Sequence, residues 1–76
     1  MPTDNKNAIR PDRPPVLGSH RGMCRGRSAY ARETSPGNWQ VKVHDPTNRQ
    51  AGHDGWLLLG TGWATLAAAS DATGLT

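Results

Sequence analysis

The clearest pattern in the chain runs from Trp39 to His44, where Trp39, Val41 and Val43 alternate with Gln40, Lys42 and His44. A period of two with aromatic and β-branched residues predicts a strand with one buried and one wet face. Ser35-Pro36-Gly37-Asn38 precedes it as a turn, because proline presets φ and glycine supplies a positive φ. Asp45-Pro46-Thr47-Asn48 follows as a second turn, and Asn48 to Gly55 reads as a polar loop. From Gly55 to Gly60 the apolar run is nearly continuous, with Trp56 and Leu58 on one face and Leu57 and Leu59 on the other. Two apolar faces predict a central strand, or one face held for a partner. Thr65 is placed to N-cap a helix over 66–73 and Gly74 to end it. A helix of about two turns is not stable alone. It must dock through Leu66, Ala69 and Ala72 or Thr73, with Trp63 filling the gap beneath.

The first half of the chain is more polar. His20-Arg21-Gly22-Met23-Cys24-Arg25-Gly26-Arg27 forms an arginine ladder in which Gly22 and Gly26 disfavour a helix, and it reads as the first strand. Residues 27–32 can also extend, with Ser28 and Tyr30 on one face and Arg27, Ala29 and Ala31 on the other. Residues 1–19 hold Pro2, Pro11, Pro14 and Pro15 among scattered charges and read as a disordered basic tail. The expected architecture is α+β: a small three-stranded antiparallel sheet over residues 20–76, packed against one short C-terminal helix.

Composition sharpens this picture. At 76 residues the chain makes one small domain, and a domain of this size buries only ~60% of its unfolded surface. Only 34% of residues are apolar and phenylalanine is absent. The core is therefore expected to rest on Trp39, Trp56, Trp63 and the Leu57–Leu59 run. Cys24 is the single cysteine, so no internal disulfide can form, which favours a reducing compartment. No apolar leader is visible in the first twenty residues. The uncharged run from Gly55 to Ser70 falls short of the ~20 apolar residues of a membrane span. A cytoplasmic protein with no membrane partner is expected, or a nuclear one in a eukaryote.

Charge points to a partner. The net charge is +3. Residues 1–35 carry seven Lys/Arg against three Asp/Glu, whereas residues 36–76 carry two against three. Arg21, Arg25, Arg27 and Arg32 follow one another with no acid between them. That asymmetry suits phosphates or an acidic protein surface. Catalysis is not expected. Gly60-Thr61-Gly62 lacks the length and the Lys-Ser/Thr of a phosphate loop, and the carboxylates are scattered over loops. His20, Cys24, His44 and His53 could offer four nitrogen and sulfur ligands, but their spacing matches no common zinc module. The sequence leaves zinc open, and no cofactor is expected.

The order Arg-Gly-Met, Arg-x-Arg, Gly-x-Trp, Val-His-Asp-Pro, Leu-Gly-Thr and Ala-Thr before an alanine-rich helix resembles the Apetala-two/ethylene-response-factor DNA-binding domain. Related domains occur in phage-type integrases and homing endonucleases. The resemblance spans residues 20–74. It implies a βββα unit whose sheet enters the major groove of double-stranded DNA. By position, Arg21, Arg25 and Arg27 match the first-strand contact arginines, and His44 stands where the second strand usually carries another. Residues 28–36 then stand as an insertion. The expected function is that of a small non-catalytic DNA-binding regulator or accessory factor, using Arg21, Arg25, Arg27, Lys42 and His44. The alternative is a protein-interaction module of phage or mobile-element type that modulates a host complex or forms a homodimer. Trp56 and Leu58 would then supply the contact surface.

Overall fold

A computed structural model describes residues 16–76. The tail expected over 1–19 lies mainly outside them. Four strands form one antiparallel meander: β1 (Ser19–Cys24), β2 (Arg27–Ser35), β3 (Asn38–His44) and β4 (Trp56–Trp63), in the spatial order β1-β2-β3-β4. A single helix, α1 (Leu66–Thr73), follows β4. The α+β class agrees with expectation, but the sheet has four strands rather than three.

The extra strand comes from a turn inside the arginine ladder. Arg25 and Gly26 both have positive φ, 55° and 77°. That is the backbone of a two-residue hairpin turn whose twist suits antiparallel strands. Cys24 and Arg27 close the hairpin as paired residues. Residues 28–35 stand as an insertion only against the resembled family; they are the body of β2, with Ser28 and Tyr30 on one face and Arg27, Ala29 and Ala31 on the other as their alternation predicts. The strand beside β3 is therefore β2, and the ladder itself lies at the sheet edge.

Glu33 fixes the far end of this layer. Its Oε1 accepts from the Gly18 N–H at 2.9 Å and its Oε2 from the Gly37 N–H at 2.9 Å. These two bonds hold the Glu33 carboxyl below the usual range, the Gly37 bond contributing most. Gly37 turns the chain into β3 at φ 73°, behind Pro36. The Asp45–Asn48 turn closes through the Asn48 N–H donating to Asp45 O at 3.0 Å.

The helix caps follow the sequence. Thr65 Oγ1 accepts from the Ala68 N–H at 3.1 Å, and Gly74 at φ 82° donates its N–H to Ser70 O. Ala69 is fully buried, with Leu66 partly buried beside it. Ala72 is exposed, so the lower contact falls to Thr73, whose hydroxyl donates to Ala69 O at 2.8 Å.

The buried residues are small: Cys24, Ala29, Ala31, Val41, Val43, Ala69 and Leu75. Trp39, Trp63, Leu57, Leu59 and Leu66 pack around them only partly buried. This corrects the tryptophan-centred core expected from composition. A helix presenting alanine to a sheet presenting alanine and valine approaches too closely for large rings at the centre. Trp63 lies over Gly60, where a Cβ would collide with its ring. Among the described residues no helix is long and apolar enough to cross a membrane.

Candidate nucleic-acid interface

Register assigns the paired strand side chains to one of two faces, with shifts after Glu33 and, along β4, at Leu59 and Gly62. Val41 pairs with Ala31, and Val43 with Ala29 and Leu57, on the helix-covered face. The alternate positions form a face that no other described element covers, termed the uncovered face. Its middle row runs Arg21, Tyr30, Lys42, Leu58, each directly opposite the next. A second row holds Ser19, Arg32, Gln40 and Thr61. On the other side of the middle row, Met23 pairs with Ser28, and His44 with Trp56. Directly opposite Cβ atoms lie ~4.5–5.5 Å apart, so Tyr30 has a cation on each side.

Aromatic groups meet at the centre. The Tyr30 and Trp56 rings stand edge to face at 4.9 Å between centroids, and His44 meets Trp56 the same way at 5.0 Å. Asp54 anchors the start of β4 by accepting from the Trp56 N–H at 3.1 Å. Beside these rings an open cavity of about 530 Å³ is bordered by Ser19, Arg21, Ser28, Tyr30, Arg32 and Trp56. That volume lies within the ~300–1,000 Å³ range of small-ligand sites.

No strand position on this face is acidic. Glu33 and Asp45 fall on the helix side of the register, Asp54 lies in the β3–β4 loop and Asp71 on α1. Among the described residues the face therefore carries Arg21, Arg32 and Lys42 with no compensating carboxylate. Such a surface attracts anions.

Of the residues expected to contact DNA, Arg21, Lys42 and His44 come together here, and Trp56 and Leu58 join them. Arg25 and Arg27 do not. Arg25 sits in the hairpin turn. Arg27 points to the helix side, where its Nη1 lies 3.4 Å from Asp45 Oδ1. The hairpin breaks the ladder's alternation, so the three arginines cannot line one edge. Tyr30 and Arg32 were not singled out from the sequence. Their alternation with Ala29 and Ala31 was legible, but taking 28–36 as an insertion in the resembled family left them without a place on the binding face.

The four potential zinc ligands are dispersed. His20 and Cys24 face the helix side, where His20 Nε2 lies 3.0 Å from Thr76 O and the Cys24 thiol donates to Thr73 O at 3.1 Å. His44 lies on the uncovered face and His53 in the β3–β4 loop. Among the described residues no three His, Cys, Asp or Glu side chains gather as a metal site. No protein-family model, curated protein or solved structure matches the chain.

Proposed function

We propose that this protein is a non-catalytic nucleic-acid-binding module, and that the uncovered sheet face is its binding surface. The observation that carries this reading is the middle row: an aromatic ring at the centre of the face, flanked by Arg21 and Lys42, with no acid at any strand position of the face among the described residues. Guanidinium and ammonium groups suit phosphates, and arginine forks also suit base edges. Arg32 extends the cationic surface and His44 adds a polar ring beside Trp56. A small regulator or accessory factor needs no more than this.

The test is fluorescence anisotropy with labelled oligonucleotides across a salt series. Each neutralised phosphate contributes about −0.7 to −0.9 to the slope of log K against log salt. Wild-type protein is expected to show a slope equivalent to about three phosphates. Replacing Arg21, Arg32 and Lys42 together with alanine should remove most of that slope. A triple variant that binds as wild type would sink the reading.

One observation favours a protein partner instead. Leu58 is 48% exposed and Met23 47% exposed on this same face. The outer edge of β4 also has no strand neighbour among the described residues. Edge pairing would yield a homodimer or hetero-complex. Salt-independent self-association by ultracentrifugation, with no oligonucleotide binding, would select this alternative.

A further inference from the structure

We infer that the ligand of the uncovered face is single-stranded nucleic acid, with an unpaired base seated in the cavity beside Tyr30. This deepens the nucleic-acid reading and rests on it. Two observations carry it independently.

The first is width. Neighbouring strands lie ~4.8 Å apart, so the three strands that carry cations span ~10 Å between outer axes before side chains are counted. The major groove is ~12 Å wide and admits a helix or a two-stranded ribbon. The cations sit on three adjacent strands, Arg21 on β1, Arg32 on β2 and Lys42 on β3, and β4 carries none. A duplex groove that receives one hairpin would leave part of this set unused. A single strand crossing the sheet can reach all three.

The second is the placement of the rings. Groove readers hold donors and acceptors at the centre of the contact. Here the centre is Tyr30 against Trp56, with His44 also edge to face with the indole. Aromatic groups on a sheet, ringed by cations, suit splayed bases, which offer a π-face to stack while the backbone runs past the charges. A paired base has both faces covered by its neighbours and cannot use them. The cavity is also bordered by Ser19, Ser28, Arg21 and Arg32, whose side chains carry hydroxyl and guanidinium groups. These are hydrogen-bonding partners for a base edge or an adjoining phosphate.

The probes are a labelled oligothymidine of about 12 nucleotides, within the usual site size of a single sheet module, and a mixed-sequence duplex of the same length. Both are titrated at ~50 mM salt, where phosphate contacts are strongest. The oligothymidine is expected to bind at least about tenfold more tightly than the duplex. Tyr30→Leu, which keeps apolar bulk but removes the ring, should weaken single-strand binding about tenfold, as loss of one stacked base does. Arg25→Ala, in the hairpin turn, should leave it within about twofold, as expected for a residue off the face. Quenching of tryptophan emission by the oligothymidine supplies a readout that needs no variant. Equal or tighter duplex binding, or full single-strand affinity in folded Tyr30→Leu, overturns the inference and leaves the nucleic-acid reading standing. Binding of neither probe overturns both.

Discussion

Glu33 shows how one side chain joins two distant parts of the fold. Its carboxylate accepts from Gly18, where the chain enters β1, and from Gly37 in the β2–β3 turn. Both bonds favour the ionised form and depress the folded-state pKa. The stabilisation is therefore present above the ordinary carboxylate range and lost as pH falls through the lower folded-state value. Glu33→Gln should lower the melting temperature at neutral pH. The gap from wild type should close in acid, where both side chains are neutral. A pH-independent gap would mean that Glu33 acts through packing. Val41 sets a second residue-scale expectation, since it is fully buried between the sheet and α1. Val41→Ala should cost about 2 kcal/mol through lost burial and the cavity left behind. Gln40→Ala, one residue away on the wet face, should change stability by under about 0.5 kcal/mol in urea unfolding. This contrast was legible in the alternation of β3. The dominance of small residues in the core was not, because composition reports which large side chains exist and not how closely the layers approach.

At the scale of elements, the caps, the turns and β3 were readable because each depends on local chemistry. Thr65 and Gly74 fix α1 through bonds that span one turn, and Pro36-Gly37 presets its own backbone. Thr65→Ala should accordingly cost about 1 kcal/mol of stability, measured by urea unfolding. The β1–β2 hairpin was not readable, since its turn places an arginine at φ 55°. Side chains other than Gly, Asn and Asp seldom occupy that region, so the ladder passed for one strand. The strain is a testable consequence. Arg25→Asn should raise stability by about 0.5 kcal/mol, because asparagine tolerates the left-handed region. Gly26→Ala, at φ 77°, should lower it by about 1 kcal/mol. Thermal melts of the two variants should therefore move in opposite directions. Equal shifts would mean that the turn relaxes to another form.

Over the whole molecule, the sequence revealed a cationic first half but not which cations share a surface. That depends on strand count, and one hidden turn reversed the face on which Arg27 lies. Lys42 and His44 were placed correctly because β3 alternates cleanly. The alternation placed Tyr30 on the face opposite to Ala29 and Ala31, but that Tyr30 lies beside Lys42 and Arg32 beside Gln40 emerged only from the pairing of β2 with β3. The resulting molecule is two-sided: cations and rings on the uncovered face, and Asp71 exposed on α1 across the sheet. Binding that depends on this geometry is separable from binding that depends on the net charge of +3. Lys42→Glu and Asp71→Lys each change that charge by two, in opposite senses. If the uncovered face is the site, Lys42→Glu should weaken oligonucleotide binding more than tenfold at ~50 mM salt and reduce the salt slope by about one phosphate. Asp71→Lys should change affinity by no more than about threefold, because its charge acts across the sheet and is screened beyond ~10–15 Å at that salt. Equal and opposite shifts from the two substitutions would show that net charge alone drives binding and that the face has no special role.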